Sequence, residues 1–151
     1  MAMHTWFECK IRYEKVMENG MQKKVTEPYL VDALSFTEAE ARIIEEMTPF
    51  ISGEFTVSDI KRANYSELFP SDEESADRWF KCKLIFITLD EKSGAEKKTS
   101  TQVLVQAADL RDAVKKLDEG MKGTMADYQI GMVSETPLMD VYPYSAEPND
   151  K

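Results

Sequence analysis

Apolar and polar residues alternate along two separate stretches, "WFECKIRYEK" (6–15) and "WFKCKLIFIT" (79–88). A period of two predicts strands, with Phe7, Cys9, Ile11 and Tyr13 on one face and Phe80, Cys82, Leu84 and Phe86 as their counterparts. Each stretch runs into turn chemistry, "MENGM" and "DEKSGAE", where Asn-Gly and Ser-Gly tolerate positive φ. A second strand rich in Thr, Val and Leu is predicted over about 23–33 and again over 97–107. The period then becomes helical. Phe36, Ala39, Ile43 and Met47 make one apolar stripe, and Leu110, Ala113, Leu117 and Met121 repeat it. Ser35 and Glu38 form a capping box at the start of the first helix, and Asp109 and Asp112 stand at the matching positions of the second. Gly120 and Gly123 suit the exit of that second helix. A third strand starts at Phe55 and at Tyr128. The spacings Phe55, Val57, Ile60 and Tyr128, Ile130, Val133 break strict alternation, which predicts a bulge in both. "YSELF" and "LMDVY" add a fourth short strand to each series.

The two series are one pattern written twice. A shift of 73 pairs Trp6 with Trp79, Phe7 with Phe80, Cys9 with Cys82 and Lys10 with Lys83. One extra residue in the second hairpin makes the shift 74 through the helix, and past the helix it returns to 73. Ordered matches of hydrophobic class over this length imply an internal duplication. The predicted fold is therefore α+β: two ββαβ(β) units, mainly antiparallel sheets with one helix per repeat, related by a pseudo-two-fold. The first repeat spans 6–70, an acidic linker 71–78, the second repeat 79–143 and a polar tail 144–151. A three-strand sheet with one helix buries little surface, so the repeats are expected to pack as one globular unit.

The stretches "WFECKIRYEK", "VTEPYLVDALSFTEAEARI" and "FTVSDIKRANYSELF" resemble an uncharacterised family, a domain of unknown function found in Bacteroidetes and their phages. The resemblance is close over residues 6 to about 70 and looser beyond. It implies a bacterial or phage-encoded cytoplasmic protein, and it carries no activity, cofactor or catalytic residue with it.

Composition narrows the chemistry. Among 151 residues the net charge is −9, which opposes binding to nucleic acid phosphates or anionic lipid. No apolar run is long enough to span a bilayer, and the start lacks the pattern of a signal peptide, so the expected address is cytoplasmic and the two cysteines are expected as reduced thiols. His4, the one histidine, lies in a tail, which removes Ser-His-Asp and Cys-His catalysis. Cys9 and Cys82 share the apolar parity and read as core. There is no Gly-rich phosphate loop and no distinctive carboxylate pair. The expectation is a non-enzyme without cofactor or metal.

Binding residues are sought on the opposite parity. Trp6 and Trp79 sit in line with Lys10 and Lys83 and could stack a base or anchor a partner, or else fill a seam between repeats. Lys61 and Arg62 form a basic pair private to the first repeat. Ile85 and Ile87 replace the Arg12 and Glu14 of the first repeat, so that strand is expected to be buried on both faces, with a second subunit as the preferred cover. Three functions remain open: a binding or regulatory module acting on a protein partner or on itself as a homodimer; a sensor or sponge for a small anionic ligand such as a nucleotide or cyclic dinucleotide; and single-stranded nucleic-acid binding, which the charge disfavours.

Overall fold

The computed structural model describes residues 5–143, so His4 and the tail 144–151 lie outside the described residues. The described chain divides into two compact units, one made of residues 5–64 with 137–143 and the other of residues 65–136.

In the first unit, β1 (Thr5–Val16) and β2 (Gln22–Ala33) form an antiparallel hairpin, followed by α1 (Phe36–Met47) and β3 (Phe55–Ala63). The hairpin turns at Gly20, whose φ of 83° an L side chain rarely adopts. Ser35 accepts a hydrogen bond from the Glu38 amide at 3.1 Å, and the Glu38 carboxylate accepts from the Leu34 amide at 2.6 Å, one residue before the expected Ser35 amide. The helix lays Ala39, Ile43 and Met47 on Phe7, Cys9, Ile11 and Val31, all buried. Each large side chain buried there contributes roughly 1.5–3 kcal/mol. β3 lies along the other side of β1, and the ladder slips between Lys10 and Ile11, leaving Ser58 as the extra residue of the predicted bulge.

The second unit repeats this plan with β5 (Arg78–Leu89), β6 (Glu96–Ala107), α2 (Leu110–Gly120) and β7 (Asp127–Glu135). Asp109 caps the helix by accepting from the Asp112 amide at 2.8 Å, while the Asp112 carboxylate accepts from the Ala108 amide at 3.0 Å. Leu117 and Met121 cover Cys82, Leu84, Val103 and Val105. The second bulge falls between Lys83 and Leu84, with Gly131 as the extra residue. A Cβ on Gly131 would stand 2.9 Å from Ile85 Cδ1, so the bare backbone there gives Ile85 its seat.

The fourth strands are exchanged. β4 (Glu67–Phe69), which ends the first repeat in sequence, pairs in parallel with β6 of the second unit; β8 (Asp140–Tyr142), which ends the second repeat, pairs in parallel with β2 of the first. The sheet orders are β3-β1-β2-β8 and β7-β5-β6-β4, the same order with the last strand traded. Repeat boundaries at 70 and 79 are thus not the unit boundaries, which fall at 64/65 and 136/137. The second unit is continuous in sequence, and the first is completed only when the chain returns.

The acidic stretch 71–78 is not a free linker but part of the second unit. The Ser71 amide donates to Gln106 Oε1 at 2.9 Å, Lys116 Nζ reaches Glu73 at 2.8 Å, and Ala76 is buried. The Lys116 ammonium, also 2.9 Å from Asp112, ties the acidic chain to the helix.

Candidate functional site

The outer faces of the two sheets, those away from the helices, carry most of the residues singled out above, and the register shows what each one faces. In the first unit Glu8 lies opposite Lys61, and Lys10 opposite Asp59. Opposite charges at directly opposed positions favour one another, so Lys10 and Lys61 stand beside carboxylates and not in an open cationic patch. Trp6 is half-buried between Ala63 and Asp32 in the register. Arg62, on the helix side, holds its guanidinium 5.2 Å from the Phe36 ring centroid and 5.6 Å from that of Phe7. That position shields the edge of the core through cation–π attraction.

The second unit has no such pairing. Lys81 lies opposite Ser134 and Leu104, Lys83 opposite Met132 and Gln102, and Ile85 opposite Gln129 and Ser100. Ile85 and Ile87 are half-buried, Lys83 and Met132 exposed. The structure therefore brings Lys83, Ile85 and Ile87 together on one basic and apolar surface, with Met132 as a neighbour that strand parity alone could have found. Trp79 is 5% exposed and has no open ring face, which corrects its reading as a stacking platform. Burial of β5 on both faces likewise holds at Trp79 and Phe80 but not from Lys83 onward.

On the helix side, the far end of the first sheet carries a polar cluster. Tyr13 Oη donates to Glu27 Oε1 at 2.9 Å, Tyr29 Oη donates to the same oxygen at 3.3 Å, and Lys15 pairs with the other oxygen at 3.5 Å. Tyr29 stacks on Tyr142 of β8 with ring centroids 6.2 Å apart. Burial and the Glu27 charge raise the Tyr13 and Tyr29 phenols, and burial with Asp140 and Glu46 pushes Tyr142 up to about 12. The equivalent positions of the second unit are Phe86, Thr101, Val103 and Phe69. Beside this cluster a groove of about 620 Å³ is lined by Arg12, Tyr13, Lys24, Gly53 and Phe55 among others.

The thiols are inert by position. Burial pushes Cys9 up to about 12, with Glu8 and Asp59 adding to the shift, and Cys82 up to about 11, so both remain protonated at neutral pH. Among the described residues no group of three His, Cys, Asp or Glu side chains is placed to hold a metal ion, and no helix is long and apolar enough to cross a membrane.

Two residues escaped the sequence reading. Arg42 and Lys116 occupy the same helix position under the 74-residue shift. Arg42 donates to the Asp32 carbonyl and, at 3.1 Å, to the Pro143 carbonyl just after β8. Lys116 donates to Ser71 Oγ at 3.2 Å just after β4. Each helix thus uses one cation to hold the end of its exchanged strand. Their shared register was the available signal.

A duplicated sheet-and-helix protein with buried thiols and a basic, apolar sheet face is the class that this geometry defines. The chain belongs to the family described as a domain of unknown function, DUF4494, whose model spans residues 5–144. No curated protein matches it.

Proposed function

We propose that the protein is a non-enzymatic binding module that engages a protein partner through the outer face of the second sheet. The observation that carries this reading is the contrast between the two outer faces. On one face Glu8 lies opposite Lys61 and Lys10 opposite Asp59, whereas on the other neither Lys81 nor Lys83 has a carboxylate opposite, and they share the surface with Ile85, Ile87 and Met132, with Asp127 opposite Ile87. An apolar centre with a cationic rim suits an acidic, partly apolar protein surface, since rim charge steers encounter and the desolvated centre supplies affinity. A cytoplasmic address accompanies the reading, supported by two thiols kept unpaired. Capture from a cognate lysate with wild-type and Ile87→Asp baits tests it. A species retained by the first and lost by the second is expected; identical capture by both overturns the assignment to this face.

The first unit's groove favours a second reading, a small anionic ligand. Arg12 and Lys24 supply cations there beside the carboxylates of Glu14 and Glu54, Tyr13 and Phe55 supply aromatic surface, and about 620 Å³ falls within the range of small-molecule sites. A thermal-shift panel of nucleotides and cyclic dinucleotides checks it. A ligand present at 100 times its Kd should add about 2.7 kcal/mol of stability. No shift with any member overturns it.

A further inference from the structure

Taking the outer face of the second sheet as a protein-binding surface, as proposed above, we infer that its partner is a second copy of this chain, which lays α1 on it. The first helix presents a stripe to the outside as well as one to the core. At about 100° per residue Thr37, Ala41, Ile44 and Thr48 share one side of α1, with exposed Glu40 and Glu45 on its two flanks. Ile44 is 40% exposed there, in spite of its size and apolarity. The sheet face offers the converse. Ile85, Ile87 and Met132 form an apolar centre, and Lys81, Lys83 and Lys98, the last opposite Ile87 on β6, outnumber Asp127, opposite Ile87 on β7.

The duplication separates these two surfaces between the units. Under the 74-residue shift Glu40, Ala41, Ile44 and Glu45 become Val114, Lys115, Asp118 and Glu119, so α2 has a charge where α1 has its exposed isoleucine. On the sheets the difference runs the other way, with Arg12 and Glu14 in β1 where β5 has Ile85 and Ile87. α1 carries Glu38, Glu40, Glu45 and Glu46 against Arg42, which is engaged by the Asp32 and Pro143 carbonyls. α2 balances Arg111, Lys115 and Lys116 against Asp112, Asp118 and Glu119. An acidic, apolar helix thus belongs to one unit and a basic, apolar sheet face to the other.

Charge complementarity selects the occupant. Two copies with a net charge of −9 each repel at long range, so a contact between them needs unlike charge brought together locally. Glu40 and Glu45 against the three lysines supply it, and Ile44 against Ile85 and Ile87 supplies the desolvated centre. The lengths agree. With 12 residues α1 is about 18 Å long, and Lys81 to Ile87 spans about 20 Å. The sheet then lies between two helices, its own α2 and the second copy's α1. The outer face of the first sheet, where Glu8 opposes Lys61 and Lys10 opposes Asp59, offers α1 no such complement.

Sedimentation velocity on the purified full chain tests the proposal. Mass should rise with concentration, and Ile44→Asp and Ile87→Asp should each weaken association at least about ten-fold. Ile44→Asp keeps a competent sheet face and Ile87→Asp a competent helix. Mixed, they should form a heterodimer that grows no further, at concentrations where neither associates alone. Ile87 is half-buried, so exposed Lys83→Glu takes its place should Ile87→Asp fail to fold. Wild-type protein that stays monomeric up to about 1 mM overturns the proposal. Association that Ile44→Asp leaves unchanged overturns it too, as does a mixture without heterodimer, since the contact would then pair like surfaces. The reading of the face itself fails on different evidence, identical lysate capture by wild-type and Ile87→Asp baits.

Discussion

The two units share strand order, bulge position and helix cap, yet they spend their side chains differently at three places. On the outer face the first unit balances charge while the second leaves Lys81 and Lys83 among apolar neighbours. At the far end of the helix side the first unit carries Tyr13, Glu27, Tyr29 and Tyr142 where the second carries Phe86, Thr101, Val103 and Phe69. Under the exchanged strand the first has Glu46 and the second Gly120. What stays constant is what the fold needs: the stripe on each helix and the alternating face beneath it. What differs lies on the outer faces, at the far end of the helix side and under the exchanged strand, outside the shared stripe.

The strongest way to break the comparison is at the shared core. Ile43 and Leu117 are both fully buried, and truncating either to alanine should cost about 2–5 kcal/mol in urea unfolding. A large loss at one and none at the other would mean that the helices do not perform equivalent packing. Gly120→Ala comes next. Its new Cβ would meet the Phe69 ring at 2.9 Å, an overpacking cost of about 1–3 kcal/mol, offset by up to about 1 kcal/mol of helix propensity. Glu46→Ala, at the matching position, should be near neutral. If the Gly120→Ala penalty persisted in a Phe69→Ala background, contact with Phe69 would be the wrong explanation.

Alkaline pH sharpens the contrast. Tyr13, Tyr29 and Tyr142 bind their protons more tightly folded than unfolded. Their contribution is complete below the unfolded value of about 10 and is lost as pH rises through the raised folded values. Cys9 and Cys82, raised to about 12 and about 11, weaken both units above about pH 9 in the same sense. The second unit has one such phenol, Tyr128, raised by burial and Asp118, so the first unit, with three, should unfold at the lower pH. Each unit has one tryptophan, so fluorescence of Trp79→Phe reports the first unit and that of Trp6→Phe the second. Coincident midpoints would show that the tyrosine–glutamate cluster makes no distinct contribution.

Local order was legible because period and turn chemistry act over a few residues. Strand parity placed Cys9 and Cys82 in the core, and the broken spacing after Val57 and Ile130 located both bulges. The exchange of β4 and β8 was not legible. A three-residue strand advertises that it pairs, but its choice between two nearly identical edges depends on the chain's path. Parity also put Trp79 on the outer face without saying that the face closes over it. The carboxylates of 71–78 are exposed, as a solvated run should be, but charge alone did not show that Lys116, 43 residues from Glu73, ties the run to the second helix. The same parity that placed the lysines could not show their register against β3 and β7, which decides that Lys10 is balanced and Lys83 is not.

The smallest expected effect concerns that acidic strap. Glu73 keeps 60% of its side chain exposed, so its ion pair with Lys116 works largely in water. Glu73→Ala should therefore cost only about 0.2–1 kcal/mol, less in high salt. Lys116→Ala should cost more than Glu73→Ala, because it also removes the donor to Ser71 Oγ and the partner of Asp112. Arg42→Ala is the matched change in the first unit, removing the donor to the Asp32 and Pro143 carbonyls. Double-mutant cycles at low and high ionic strength separate the two. If the cost of Lys116→Ala proved independent of salt, its hold on β4 would rest on the hydrogen bond to Ser71 and not on the acidic strap. The strap would then be packed by Ala76 and the Ser71–Gln106 bond alone.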